Sequence, residues 1–320
     1  MSALLEVEGL QKHFPVRSGV FNRITGAIRV VEGVSFSVDK GKTFALVGES
    51  GCGKTTAGRT ILRLHEPTGG SVRLAGVDLA ALEGEGLRTA RRDMQMVFQN
   101  PFGSLNPRMK VGKLLEEPLV VHGIASGKRA QEMVDAMMEK VGLAAEFGRR
   151  YPHQFSGGQR QRIAIARALM CSPKLVIADE PVSALDVSIQ SQILNLLVDL
   201  RTELGLTYVF ISHDLNVVRR ISDAIGVMYL GRLVERAETG ALYERPLHPY
   251  SEALLSAVPS LEPSKRKERI ILSGDVPNPA SPPPGCVFHP RCPKAMEVCR
   301  RSVPPDKEPS PGRLVACHLY

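Results

Sequence analysis

The run Gly48-Glu49-Ser50-Gly51-Cys52-Gly53-Lys54-Thr55 constrains this chain more than any other stretch. It fits the pattern G-x-x-x-x-G-K-[ST], follows the apolar segment TFALV, and opens a stretch of helical pattern from Lys54 to about His65. Strand, glycine turn and helix in that order make a cradle for phosphate. Glycines let successive backbone N–H groups wrap phosphate oxygens, Lys54 reaches the β- and γ-phosphates, and the Thr55 hydroxyl takes a place on Mg²⁺. The helix N-terminus adds a favourable partial positive charge. Ser50, Gly51, Cys52 and Thr56 complete the expected phosphate-contacting set, with Cys52 as a small residue tolerated inside the turn. A bare glycine turn would explain the same letters without the chemistry, but not their position between strand and helix.

The rest of the chain agrees with an α/β reading. LLEVEGL, IRVVEGVSFSV, SVRLAGV and DMQMVFQ read as strands, rich in β-branched and apolar residues. NPFGSLNPR reads as a loop, whose two prolines and one glycine forbid a continuing helix. From about Val111 to Met170 the pattern is mostly helical, and KRAQEMVDAMMEKVGL carries a core-facing stripe at Met133, Met137, Val141 and near neighbours. Strand KLVIAD, helix SIQSQILNLLVDLRTELG, strand TYVFISHD, helix LNVVRRIS and strand AIGVMYLG follow. This order predicts a mainly parallel sheet with crossover helices, interrupted by a helical insertion.

Composition sets outer limits. The 320 residues suit about two domains, or one large α/β domain with an appendage. With 43% hydrophobic and 23% charged residues, the chain can bury a sizeable core. No apolar run approaches the roughly 18 residues of a membrane span, and MSALLEVEGLQKHF lacks a secretory pattern. A soluble cytosolic chain is the expectation. The formal charge of +8 favours phosphate-bearing partners: nucleotide, nucleic acid or an anionic lipid surface. With no Trp and no basic stripe interleaved with aromatics, nucleic-acid readout is not expected.

Two further motifs carry chemistry. Leu175-Val-Ile-Ala-Asp179-Glu180 is an apolar strand ending in two carboxylates. Asp179 is placed to meet Mg²⁺ through water, and Glu180 to orient the attacking water. Phe155-Ser156-Gly157-Gly158-Gln159 then opens the helical run ending in IAIARALM, forming a second anion-binding helix start. Two phosphate cradles over 100 residues apart exceed what one nucleotide requires of one chain.

At this point the sequence resembles the ATP-binding cassette (ABC) ATPases, whose signature is a leucine-Ser-Gly-Gly-Gln run. Phe155 replaces the commonest leucine and leaves the phosphate-contacting residues intact. In that family the signature of one subunit completes the ATP site of another, so the resemblance implies a dimer. It also implies roles for Gln99 as the Q-loop glutamine on Mg²⁺ and water, and for His213 as the switch histidine on the γ-phosphate. Ser183-Ala184-Leu185-Asp186 matches the D-loop across the dimer interface. Phe14 is the choice for stacking adenine, although an insertion from Pro15 to about Ala27 leaves Phe21 open.

Val97–Pro107 and Arg245–Pro259, the latter with His248-Pro249-Tyr250, are similar to ATP-binding subunits of bacterial dipeptide and oligopeptide importers. The resemblance implies an ABC nucleotide-binding domain over residues 1–257 with a helical subdomain at about 100–170. An irregular extension over 258–320 follows, where 13 of the 23 prolines lie. It further implies a second ATPase subunit, identical or paralogous, two membrane permease subunits, an external peptide-binding protein, and a place on the cytoplasmic face of the inner membrane. No nucleic-acid partner is expected, although a soluble ABC ATPase of repair or translation is the rival reading. A small-molecule kinase would leave Ser156–Gln159 and His213 unexplained.

Cys286, Cys292, Cys299 and Cys317 are spaced C-x5-C-x6-C-x17-C within the last 35 residues. In a reducing compartment, clustered cysteines point to metal. Zinc sites use short chelating turns, because Zn–S bonds near 2.3 Å put the sulfurs only ~3.8 Å apart. The longer spacings, with the peptide-importer resemblance, favour a [4Fe-4S] cluster; Zn²⁺ and unligated thiols are the alternatives.

Overall fold

The computed structural model describes residues 3–18, 23–258 and 268–320. The chain begins with β1 (Ala3–Ser18), β2 (Arg23–Asp39), β3 (Thr43–Val47), α1 (Lys54–Ile61), β4 (Gly69–Leu74) and β5 (Val77–Asp78). Then come α2 (Gly84–Asp93), β6 (Met94–Val97), α3 (Pro101–Ser104), α4 (Val111–Val121), α5 (Gly127–Lys140) and α6 (Gly157–Leu169). The α/β alternation resumes with β7 (Leu175–Asp179), α7 (Val187–Leu204), β8 (Thr207–Ser212), α8 (Leu215–Ile221) and β9 (Ala224–Tyr229). Last are β10 (Arg232–Glu238), α9 (Thr239–Glu244), α10 (Pro249–Ser256), α11 (Glu297–Arg301), β11 (Asp306–Ser310) and β12 (Arg313–Ala316).

Two compact units share these elements, one built mainly from Leu79–Phe210 and the other from Leu5–Val38, Thr43–Asp78 and Ile211–Tyr320. In the first unit, β6 and β7 pair in parallel, Met94 opposite Leu175 through Val97 opposite Ala178. Every residue of β7 is buried, as expected of a parallel strand covered on both faces. The helical insertion packs a core of its own around Leu115, Leu119, Val134, Met138 and Ile163. Phe155 is buried in that core, with its ring edge-on to Phe147 at 5.9 Å. Its bulk therefore serves packing, which is why it can replace leucine before the serine.

In the second unit, β3 pairs in parallel with β9, and β10 turns back antiparallel on β9. The C-terminal hairpin of β11 and β12 adds to β10, Glu235 opposite Val315. β2, β1, β4 and β5 form a separate sheet in that order, antiparallel from β1 through β5. The insertion after Pro15 lengthens β1 and β2 at either end of residues 19–22, which lie outside the described residues with Phe21.

One local expectation is corrected. NPFGSLNPR contains a short helix, α3, and Pro101 stands at its first position, where its missing N–H costs nothing. The stripe expected along α5 does face the core: Ala130, Val134, Met138 and, just past the helix end, Val141 are fully buried, while Met133 and Met137 pack half-buried against them.

Candidate functional site

The glycine loop in the second unit needs glycine at two of its positions. A Cβ on Gly48 would lie 2.1 Å from the Met228 carbonyl oxygen. Gly53 has φ +103°, and a Cβ there would lie 2.3 Å from the Val30 carbonyl oxygen. Only glycine fits either place. Between them the Cys52 N–H donates to the Glu49 carbonyl at 3.3 Å, and the Cys52 carbonyl accepts from the Gly231 N–H at 2.9 Å. Lys54 is buried, its Nζ donating to the carbonyls of Gly48 and Glu49 at 2.8 and 2.9 Å. Burial pushes the Cys52 thiol up, while the Lys54 charge pulls it back. A protonated, enclosed thiol agrees with a small packing residue. Thr55 and Thr56 stand half-buried on the first turn of α1, and Ser50 and Gly51 are exposed at the loop's crest.

His213 follows the fully buried β8 and is itself exposed. The turn that presents it is locked, because the Asp214 carboxylate caps α8 by accepting from the N–H groups of Asn216 and Val217. Phe14 is half-buried, edge-on to His65 at 5.6 Å, with the Lys12 ammonium 5.0 Å from its ring centre.

The acidic centre lies in the first unit. Asp179 ends β7 and is buried; Glu180, the next residue, takes φ +45°, a left-handed conformation uncommon outside glycine. Its carboxylate accepts from Gln99 Nε2 at 2.8 Å. The structure thus joins Gln99, just beyond β6, to Glu180, just beyond β7. In the same unit Ser156 caps α6. Its Oγ accepts from the Gln159 N–H at 3.4 Å, while Gln159 Oε1 accepts from the Ser156 N–H at 3.0 Å. This reciprocal box holds the glycine pair at the helix start. Asp186 is exposed at the N-terminus of α7.

The oxygen donors of Thr55, Gln99 and Asp179 are of the hard type that suits Mg²⁺. The C-terminal cysteines need a separate account. Each of Cys286, Cys292, Cys299 and Cys317 lies within electrostatic reach of the other three. Burial, and then these neighbours, push the Cys286 thiol up to about 11. Yet among the described residues no three His, Cys, Asp or Glu side chains are grouped to hold a metal ion. Neither the expected [4Fe-4S] cluster nor a Zn²⁺ site finds support in this arrangement. One thiol has another structural duty: Cys299 Sγ accepts from the Met296 N–H at 3.5 Å at the start of α11.

Sequence reasoning missed the residues that brace the glycine loop from the far end of the chain. Glu49 forms an ion pair with Arg291 at 2.8 Å, and its N–H donates to the Tyr250 hydroxyl at 2.9 Å. No motif spacing links positions so far apart. The His248-Pro249-Tyr250 stretch opens α10. Its mechanism is a cap: His248 Nδ1 accepts from the Tyr250 N–H at 3.1 Å, and Pro249 starts α10. Among the described residues, no helix is long and apolar enough to cross a membrane.

Comparison with known proteins agrees with this geometry. The ABC transporter family matches residues 31–183, and the oligopeptide/dipeptide transporter C-terminal region matches residues 234–299. The oligopeptide transport ATP-binding protein AppF of Bacillus subtilis is 53% identical, over 99% of this chain and 97% of its own length. The dipeptide transport ATP-binding protein DppF of Escherichia coli is 52% identical, over 98% of this chain and 93% of its own. Among solved structures, the ATP-binding cassette MJ0796, a post-hydrolysis dimer bound to ADP and Pi, matches with TM-score 0.65 and 30% identity. That match covers 73% of this chain and 98% of the other. The nucleic-acid reading finds no support in these relatives. Sharing half its residues with such proteins along nearly its full length, the chain belongs to the ABC transporter ATP-binding proteins that carry the oligopeptide/dipeptide transporter C-terminal region.

Proposed function

We propose that this ABC-type ATPase powers import of di- and oligopeptides, through a second ATPase subunit and two membrane permease subunits, at the cytoplasmic face of the membrane. An external binding protein delivers the peptide. The observation that carries the reading is the joining, on one chain, of an ABC cassette to the C-terminal region matched at residues 234–299.

Each residue's part follows from its chemistry. The backbone of Gly48–Gly53 and the ammonium of Lys54 hold the β- and γ-phosphates, with Thr56 beside them. Thr55, Asp179 and Gln99 would hold Mg²⁺, which would supply positive charge to the phosphate oxygens. Glu180 orients the attacking water and draws on its proton, and Gln99 fixes the carboxylate through the 2.8 Å hydrogen bond. His213 meets the γ-phosphate, and Phe14 stacks on adenine. Ser156, Gly157, Gly158, Gln159 and Asp186 serve the nucleotide of the partner subunit. ATP thereby clamps two cassettes together, hydrolysis releases them, and the permease converts the motion into transport.

In this proposal Cys286, Cys292, Cys299 and Cys317 of the extension over 258–320 would hold a [4Fe-4S] cluster. The C-x5-C-x6-C-x17-C spacing and the mutual electrostatic reach of the four thiols support the reading. Its part would be structural, supplying metal–thiolate bonds to a segment of short elements.

The test is purification of the tagged chain from membranes, followed by uptake of labelled di- and oligopeptides into vesicles. Membrane-spanning subunits should co-purify, and uptake should require ATP and stop in the Glu180→Gln variant. Co-purification of nucleic acid with salt-sensitive affinity, and no membrane subunits, would overturn the reading.

A further inference from the structure

Glu49 in the phosphate loop is gripped from outside the loop at both backbone and side chain. The Tyr250 hydroxyl accepts its N–H at 2.9 Å. The Arg291 guanidinium forks onto its carboxylate, Nη1 to Oε2 at 2.8 Å and Nη2 to Oε1 at 3.2 Å. Arg291 is 9% exposed in its side chain and Glu49 28%, so this pair is largely withdrawn from water. Two parallel charge-assisted bonds in such a place fix a geometry as well as an attraction. The Glu49 carbonyl in turn accepts from Lys54 Nζ and from the Cys52 N–H. A continuous chain of contacts therefore runs from the C-terminal region, through Glu49, to the lysine.

Both gripping residues are themselves held firmly. Tyr250 is fully buried in α10, whose start is tied to the buried Glu235 carboxylate through the N–H groups of Leu247 and His248, each at 2.9 Å. Arg291 ends a short turn, His289–Arg291, between Cys286 and Cys292, and its N–H donates to the Phe288 carbonyl at 3.0 Å. The Phe288 ring packs on Tyr229 at 5.1 Å and on Tyr250 at 5.3 Å.

We propose that Tyr250 and Arg291 are positioning residues for nucleotide binding: they hold Glu49, and through it the phosphate loop and Lys54, in the shape that receives ATP. They act through Glu49 and touch no nucleotide. The inference rests on the reading of Gly48–Thr55 as the nucleotide cradle, and the experiment separates the two.

Nucleotide affinity and the steady-state ATPase constants are measured on the full chain carrying Arg291→Ala, Arg291→Lys, Tyr250→Phe, Glu49→Ala or Lys54→Ala. Arg291→Ala should raise the KM and Kd for ATP about tenfold with kcat held within about twofold, the mark of lost ground-state binding. Arg291→Lys should fall between, because a point charge cannot reproduce the fork. Tyr250→Phe should weaken binding about threefold, by loss of one acceptor. The double variant Glu49→Ala/Arg291→Ala should be no worse than the single ones, since the two act as a unit. Should Arg291→Ala fail to fold, Arg291→Lys carries the test with the same KM-against-kcat split. Unchanged affinity in folded Arg291 variants beside a loss in Lys54→Ala, or additive effects in the double variant, would overturn the proposal and leave the cradle standing. Unchanged affinity in Lys54→Ala would overturn the cradle itself.

Discussion

Gln99 and Glu180 are 81 residues apart in sequence, yet the amide of one donates to the carboxylate of the other at 2.8 Å. The contact joins the residues just beyond the ends of two parallel strands, β6 and β7. A carboxylate so held, on a backbone turned to φ +45°, points in a fixed direction. Glu180→Gln keeps the size of the group and removes its capacity to draw on a proton. ATP hydrolysis should fall by about 10²- to 10⁴-fold while nucleotide binding persists. Single-turnover hydrolysis beside a binding titration checks this, and near-normal turnover would remove Glu180 from the role.

Ser156 caps α6, and two substitutions separate that role from the proposed contact with a partner's nucleotide. Ser156→Ala removes the cap of α6 and should lower stability by about 1 kcal/mol. Ser156→Asn retains a capping group and should recover most of that loss. If the signature also meets a partner's nucleotide, both variants should fail to form the ATP-bound dimer. Denaturant unfolding and light scattering with ATP read the two effects apart.

His248 carries a built-in acid sensitivity. Burial holds its folded pKa down to about 3 from the ordinary 6.5, and the neutral ring accepts the Tyr250 N–H. The folded state therefore binds fewer protons than the unfolded one. Its contribution is full above pH 6.5 and is lost progressively as pH falls toward 3. From neutral pH to pH 5 the linked loss is about 2 kcal/mol. His248→Asn, which leaves a capping group in place, should flatten that slope in thermal unfolding measured across pH.

Protein prepared without air should be brown, with a broad visible absorption, and Cys292→Ser should bleach it. Colourless protein holding stoichiometric zinc would replace the cluster with a single ion, and a change in the positions of Cys286, Cys299 and Cys317 would have to follow.

The elements nearest the chemistry were legible because short-range rules govern them. An all-apolar strand before the glycine run could only be a buried parallel strand, and β3 is buried at every residue. Gly48 and Gly53 are legible for the same reason, since the backbone approaches within a distance no side chain tolerates. Short-range rules failed where position within a permitted pattern mattered. Periodicity gave the core side of α5 but not that Val134 and Met138 lie deeper than Met133 and Met137, because depth depends on what packs against the helix. Pro101 began a helix, since proline forbids only an interior place.

The amino-acid sequence by itself determined the α/β class, the phosphate loop, the paired carboxylates after β7 and the capped signature helix, each a pattern within a few residues. The tertiary structure alone decided which distant groups meet: Gln99 on Glu180, and Tyr250 and Arg291 on Glu49. Such pairings follow from strand order and chain path. They leave no periodicity in the sequence, because a hydrogen bond records where two groups end in space and not how far apart they began.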